Sequence, residues 1–295
     1  MSSQKFYLVD VFAEKKYGGN QLAVIQNTGK PTKDEMQKIA FEFNFSETTF
    51  IISEDNNKYE YEVRIFTPRV ELPFAGHPTL GTAFIIQQEI LKKEVEKIFL
   101  KLKAGEIPVE IGYKNNEIDK LWMKQNEPVF GEIYSPEIIS KILNINKEEI
   151  DNNFPVQVVS TGLPGIIVPL KNLNAVKKCV IEKELYFDFI KDKEVKSIFV
   201  FAPETYSKKN DINARMFVDY YGIPEDPATG SINGCLAGYL VKHLYYKKDS
   251  IDLRVEQGYE INRPSLLYIR ADSDKNKINI YVGGRVFKIG DGFLA

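Results

Sequence analysis

Hydrophobic and polar residues alternate along much of the chain, in short segments separated by turn residues. Alternation over four to eight residues predicts half-buried β-strands. In the first half such strands are predicted at residues 6–12, 22–26, 46–53, 61–67, 98–103, 105–112 and 120–125. Two segments instead have apolar residues at helical spacing, residues 32–43 and 78–91. Thr32 precedes the first of these helices as a capping residue, with acidic residues in the first turn.

The composition changes between Asn126 and Pro136, and strand and helix patterns then recur. Helices are predicted at residues 135–144, 146–151, 172–179 and 231–244. Strands are predicted at residues 156–162, 165–170, 196–202, 212–218, 251–258, 265–271 and 277–286. We therefore predict two half-domains, residues 1–126 and 127–295, with the last strand a candidate to cross back to the first half.

One arrangement of residues occurs in both halves. Arg64-Ile65-Phe66 is followed, nine residues after the arginine, by Pro73, then by Ala75-Gly76-His77 and an apolar helix. Arg215-Met216-Phe217 is followed in the same way by Pro224, then by Thr229-Gly230-Ser231 and an apolar helix. The shared order of strand, turn, glycine and helix predicts an internal duplication.

The glycine in each repeated corner, Gly76 or Gly230, lies where a helix is predicted to begin. The first N–H groups of a helix have no partner within the helix, and the macrodipole is positive there. Glycine allows a ligand to approach the backbone closely, so each corner is suited to an anion. The structural alternative is that both glycines are only turn residues before packed helices. His77 and Ser231, which follow the glycines, favour the binding interpretation.

Composition narrows the range of partners and cofactors. The net charge is −2 and acidic residues are interleaved with the lysines, which argues against a nucleic-acid partner. We expect no membrane span, because no apolar run reaches about 20 residues. Two cysteines and two histidines give no metal-site spacing, so no metal site is expected. The N-terminus does not have the pattern of a signal peptide, and few cysteines are typical of a reducing compartment, so a cytoplasmic location is expected.

Five segments together resemble the PhzF phenazine-biosynthesis-like family, which shares the diaminopimelate epimerase fold. They are VDVFAEKKYGGNQLAVI, NFSETTF, RIFTPRVELPFAGHPTLGTA, ARMFVDYYGIPEDPATGSINGCLAGYL and VEQGYEINRPSLL. They occur in the family's order and span almost the whole chain. The resemblance implies an α+β fold of two pseudo-symmetric half-domains. Each would be a β-sheet rolled around a central helix, with the active site in a cleft between them.

The resemblance also implies a function and its residues. It implies a cofactor-independent isomerase or epimerase, a homodimer, that moves a proton on a small carboxylate substrate. The family's catalytic residues fall on Glu47, His77 and Asp226. Its substrate-binding residues fall on Gly76, Gly230 and Ser231, and we add Ser46 and Asn20 as candidate polar contacts.

Two positions depart from related enzymes. Diaminopimelate epimerases and proline racemases carry a cysteine at each corner, where this chain has Ala75 and Thr229. A two-thiol mechanism is therefore excluded, and Glu47 is expected to serve as both base and acid. It does so best if burial raises its pKa toward neutrality. Gln21 stands where the family commonly has proline, outside the expected chemistry.

Two alternatives remain open on the sequence. For each candidate residue the alternative is a purely structural role. Glu47 would be a surface carboxylate, His77 a helix cap, and Asp226 and Asn20 turn residues. For the whole protein the alternative is a non-catalytic small-anion-binding protein. A phosphate-binding site is not supported, because the sequence has neither GxxxxGK[ST] nor a GxGxxG after a strand.

Overall fold

The computed structural model describes residues 4–26, 31–275 and 277–294. Contacts divide the chain into two compact units. The first unit comprises residues 1–124 together with 283–295, and the second comprises residues 125–282.

Over its described residues, the first unit is a mixed β-sheet with two α-helices. Its strands are β1 Gln4–Val11, β2 Asn20–Gln26, β3 Glu47–Asp55, β4 Glu60–Phe66, β5 Glu71–Leu72, β6 Lys97–Leu102, β7 Gly105–Lys114, β8 Glu117–Lys124 and, near the C-terminus, β18 Val286–Leu294. Its helices are α1 Lys33–Phe43 and α2 Gly76–Ile85, the second continued by a π-helical turn, Ile86–Leu91. Strand β1 pairs antiparallel with both β2 and β18, whereas β2 and β3 run parallel. The terminal strand thus belongs to the sheet of the first unit.

Helix α1 begins as its sequence predicts. The Thr32 side chain accepts a hydrogen bond from the Glu35 backbone N–H, and the Glu35 side chain binds the Thr32 backbone in return. Met36 and Ala40 face Ile25, Phe50 and Phe66 of the sheet in one apolar cluster. Burial of this apolar face and the capping box together fix helix α1, and helix α1 in turn positions the chain segment that leads into β3.

Helix α2 is the centre of the first unit. All ten of its residues are buried. It packs against strands β1, β2, β3, β6, β7, β8 and β18, all in its own unit. Gly81 allows the closest approach, because a Cβ there would lie 2.6 Å from Cδ2 of Leu22. An apolar helix enclosed by strands explains why its sequence has no polar face.

The second unit has a second mixed set of strands and four α-helices among its described residues. Its strands are β9 Val129–Tyr134, β10 Val156–Ser160, β11 Pro164–Pro169, β12 Ile198–Ala202, β13 Ile212–Val218, β14 Ile223–Asp226, β15 Ser250–Gln257, β16 Ser265–Asp274 and β17 Lys277–Gly284, the last reaching the start of the 283–295 segment. Its helices are α3 Pro136–Ile142, α4 Leu173–Lys178, α5 Lys183–Ile190 and α6 Gly230–Lys242. Helix α6 packs against β10, β11, β15 and β16 and is buried except at Ser231 and its last residue, Lys242. The shorter helices cover a separate apolar cluster that includes Ile139, Val176 and Ile190.

Some predicted elements differ from the structure. The predicted helix at residues 146–151 is only a 3-10 turn, Lys147–Glu149. Strand β9 lies in the segment taken as a composition break, and helix α5 was not predicted at all. Every other predicted strand and helix is present, with ends shifted by a few residues.

Candidate active site

Glu47 is the first residue of β3. Helix α1 ends at Asn44, which is left-handed and turns the chain toward the sheet, and Ser46 then leads into the strand. Leu22 of β2 is the parallel partner of Glu47. The Glu47 side chain is 16% exposed, whereas the next residues, Thr48 and Thr49, are fully buried. A carboxylate at this position borders the apolar interior of the first unit and remains accessible to a small molecule.

The first corner connects β5 to helix α2 and holds His77. Ala75 is the N-cap residue and is extended; it has no side-chain hydrogen bond to cap the helix. Thr79 instead donates to the Ala75 carbonyl at 2.7 Å. Gly76 and His77 form the first turn of the helix and are buried. The side chain that this turn projects is therefore held by a rigid, enclosed helix.

His77 lies against Glu47. Nε2 of His77 is 3.3 Å from Oε2 of Glu47. Burial lowers the pKa of His77 to about 3, although a hydrogen bond to the Gln21 backbone works in the opposite direction. His77 is therefore a neutral imidazole near pH 7, with a ring N–H directed at the Gln21 carbonyl.

The start of strand β2, which follows a tight loop, presents that carbonyl. Asp10 is buried and accepts a hydrogen bond from the Tyr17 backbone N–H at 2.7 Å. Gly19 has φ +69°, and a Cβ there would lie 2.3 Å from the Val11 carbonyl oxygen. The sequence interpretation placed Gln21 outside the chemistry, and its side chain is exposed, but its backbone orients His77. Asn20, the adjacent candidate, is almost fully buried, at 1% exposure.

The second corner connects β14 to helix α6. Asp226 ends β14, and the Thr229 hydroxyl donates a hydrogen bond to its Oδ2. Thr229 is the N-cap residue of α6, again without a side-chain cap. Gly230 is buried and Ser231 half-buried at the start of the helix. The structure thus brings Asp226, Gly230 and Ser231 together, as it brings together Glu47 and His77.

The two corners share a register. Phe66 of β4 is paired with Glu71 of β5, and Phe217 of β13 with Glu225 of β14. Each glutamate also pairs with the arginine two residues before the phenylalanine. Hydrogen bonding by Arg64 lowers the pKa of Glu71 to about 2.

This register corrects the sequence alignment of the corners. Two residues after Glu71 comes Pro73, and two residues after Glu225 comes Pro227. Pro224, which sequence spacing had matched to Pro73, instead lies within β14. The strand pairing aligns the corners correctly because it matches the glutamates of the two ion pairs. Counting from the arginine does not, because the turn between the arginine and the glutamate is longer in the second unit.

The second corner also contains residues that sequence reasoning missed. Gln257, at the end of β15, is fully buried and bonds to Asp226, Thr229 and Asn233. Asn233 in turn donates to the Thr229 carbonyl at 2.9 Å. The segment VEQG was predicted as part of a strand and contributes to the family resemblance, but no local pattern marks Gln257 as a site residue.

Comparison with known proteins identifies the family. Residues 9–291 match the family model described as phenazine biosynthesis-like protein. The chain belongs to the phenazine biosynthesis-like family. It is 33% identical to an uncharacterized isomerase of Clostridium acetobutylicum over 96% of both chains. It is 30% identical to the trans-2,3-dihydro-3-hydroxyanthranilate isomerase of Pseudomonas aeruginosa, over 98% of this chain and 99% of that one.

Comparison with solved structures agrees with this family assignment. The crystal structure of a PhzF-family phenazine biosynthesis protein from Bacillus anthracis matches with a TM-score of 0.90, 28% identity and full coverage of both chains. A probable proline racemase from Agrobacterium radiobacter matches with a TM-score of 0.65 at 10% identity, over 99% of this chain and 93% of that one, which shows the fold alone. The predicted family and the prediction of an isomerase are confirmed. The mixed sheets with few helices agree with the predicted epimerase-like α+β class.

In this phenazine biosynthesis-like protein neither cysteine is placed for thiol chemistry. Burial raises the pKa of Cys179 to about 12 and that of Cys235 to about 11. Over the described ranges, no group of three or more His, Cys, Asp or Glu side chains is arranged to hold a metal ion. No helix in that same part of the chain is long and apolar enough to cross a membrane.

Proposed function

We propose that this isomerase shifts a proton on a small carboxylate substrate, with Glu47 as both base and acid and without a cofactor. The contact between Glu47 and His77 carries the proposal. The neutral imidazole donates its one N–H to the Gln21 carbonyl, so its other nitrogen offers a lone pair. Since Oε2 of Glu47 also carries lone pairs, a proton between the two atoms makes their 3.3 Å contact favourable. The pair is thus suited to hold a proton in transit.

The reaction follows from one mobile proton. The Glu47 carboxylate takes a proton from a C–H bond that an adjacent electron-withdrawing group has made acidic. The electron pair of that bond moves into a neighbouring double bond, which shifts by one position. Glu47, now a carboxylic acid, returns the proton to the carbon at the far end. Atoms and electrons balance within the substrate, so no oxidant, reductant or metal is required.

The two corners would bind the negative charge. Neither Ala75 nor Thr229 caps its helix with a side chain, so the N-terminal N–H groups of α2 and α6 can face an anion. We propose that Gly76, Gly230 and Ser231 bind the substrate, with Ser46 and Asn20 as further polar contacts. Asp226 would orient the substrate or accept a proton from it.

The shared register supports a duplication. Each unit has an arginine–glutamate pair, a proline two residues after the glutamate, and a buried helix that begins at a glycine. We propose that residues 1–126 and 127–295 derive from one ancestral half-domain, with β18 exchanged into the first unit. We further propose a homodimer, which sedimentation of the purified chain would test.

Incubation in D₂O with a panel of small carboxylates tests the proposed activity. Trans-2,3-dihydro-3-hydroxyanthranilate is the first compound, because relatives are named for its isomerisation. We expect deuterium at a carbon of one compound, detected by NMR, and no loss of rate after dialysis against EDTA. A compound that raises the melting temperature without exchange would instead support a binding protein.

A further inference from the structure

The Gln257 amide makes four hydrogen bonds within the second corner. Its Oε1 accepts from the Thr229 backbone N–H at 3.3 Å and from Asn233 Nδ2 at 2.9 Å. Its Nε2 donates to the Asp226 carbonyl at 2.9 Å and to the Thr229 hydroxyl at 3.2 Å. The side chain is fully buried, so no water replaces these partners without cost.

These contacts settle which way the amide and the hydroxyl point. A backbone N–H only donates and a backbone carbonyl only accepts, so Oε1 must face Thr229 N and Nε2 must face the Asp226 carbonyl. The second N–H of Nε2 then occupies a lone pair of the Thr229 oxygen. The Thr229 hydroxyl proton is left to Oδ2 of Asp226, with which it is hydrogen-bonded.

We propose that Gln257 is a positioning residue: it fixes the Thr229 hydroxyl as a donor to Asp226, and thereby holds the Asp226 carboxylate in one orientation for the reaction. The inference rests on the proposed function in giving Asp226 a part in catalysis. It also gives Thr229 a role at the position where related epimerases carry a thiol. The hydroxyl serves Asp226 instead of acting as an acid itself.

The neighbours of Gln257 keep it rigid. Glu256 is fully buried and accepts from the backbone N–H groups of Tyr206 and Ser207, at 2.8 and 2.9 Å. Gly258 has φ +75°, and a Cβ there would lie 2.6 Å from the Pro227 carbonyl oxygen. The end of β15 is therefore fixed on both sides of Gln257, which a positioning role requires.

The first arm of the test needs no substrate. Three-bond couplings to the Thr229 methyl group, measured by NMR, report whether its χ1 angle occupies one rotamer. We expect one rotamer in the native chain and rotamer averaging in Gln257→Glu, which keeps the Oε1 acceptor but loses both donors. Gln157→Glu is the matched control, because Gln157 is also a buried glutamine whose Nε2 donates to a carbonyl, that of Gly131. This control should leave Thr229 in one rotamer.

The second arm measures turnover. We expect Gln257→Glu and Thr229→Val each to lower kcat about tenfold, as loss of one hydrogen bond worth about 1.4 kcal/mol would, with little change in KM. The double variant should be little worse than either single variant, since both act through the same hydroxyl. Thr229→Ser, which keeps the hydroxyl, should retain most of kcat. A role in stability alone would lower the melting temperature without this pattern.

The outcomes separate the two proposals. A single Thr229 rotamer in Gln257→Glu overturns the positioning role, whatever the turnover. Rotamer averaging with unchanged kcat also overturns it, while loss of turnover in Glu47→Gln would leave the proposed function intact. If Glu47→Gln keeps full turnover, the proposed function fails, and the rotamer arm still decides whether Gln257 fixes the hydroxyl.

Discussion

Nε2 of His77 lies 3.3 Å from Oε2 of Glu47, although the two residues are thirty positions apart in the chain. The parallel pairing of β2 with β3 places Glu47, and the buried start of α2 places His77. Because burial keeps the imidazole neutral, this contact is not an ion pair at neutral pH.

The buried state of His77 predicts how stability depends on pH. Its pKa is about 3 in the folded chain and 6.5 in the unfolded chain, so only the unfolded chain takes up the proton between these values. The free energy of unfolding that this difference in pKa contributes is fully present above pH 6.5 and is lost as the pH falls toward 3. We expect about 2 kcal/mol less stability at pH 5 than at pH 7.5 from this residue.

Urea unfolding at the two pH values measures this loss. His77→Asn is the control, because asparagine keeps a polar side chain but does not titrate. The variant should lose less stability than the native chain over the same interval. Equal losses in both proteins would show that His77 is not held neutral by burial.

We predict that both cysteines are unreactive in the folded chain and are not needed for activity. With both thiols buried and their pKa values raised, almost no thiolate exists at pH 8. Ellman's reagent should react with neither in the folded chain and with both in urea. The double variant Cys179→Ala, Cys235→Ala should keep full exchange activity. Loss of activity in a folded double variant would revive a thiol mechanism.

The two arginine–glutamate pairs should differ in their contribution to stability. Arg215 also donates to the carbonyls of Val176 and Cys179 at the end of α4, and Glu225 is nearly buried. Arg215→Met should cost about 3–5 kcal/mol, because it leaves a buried charge unpaired. Arg64→Met should cost about 1–3 kcal/mol, since Lys103 remains beside Glu71. Urea unfolding compares them, and equal losses would contradict this ranking.

Local patterns predicted most of the fold. The capping box of α1 and the apolar helices α2 and α6 depend on residues close in sequence. Strand β9 was missed because Val129 and Ile133 are exposed and their segment shows no alternation of buried positions. Helix α5, KELYFDFI, was missed because its aromatic residues also suit a strand.

The site was predictable only in part. Motifs identified Glu47, His77 and Asp226 as candidates, but not their neighbours. The role of the Gln21 carbonyl depends on the backbone of strand β2, far from His77 in the sequence, which no side-chain pattern records. Gln257 acts through four long-range hydrogen bonds, and an isolated glutamine in a strand does not predict any of them.

The most direct test is the deuterium exchange rate of Glu47→Gln on the compound that the native chain exchanges. Glutamine keeps the size and a hydrogen-bonding oxygen but cannot take up the proton. Glu54→Gln, an exposed carboxylate on the same strand, is the matched control. We predict that Glu47→Gln lowers the rate by about 10²–10⁴-fold, while Glu54→Gln leaves it unchanged. Full exchange by folded Glu47→Gln would contradict the assignment of Glu47 as the proton carrier.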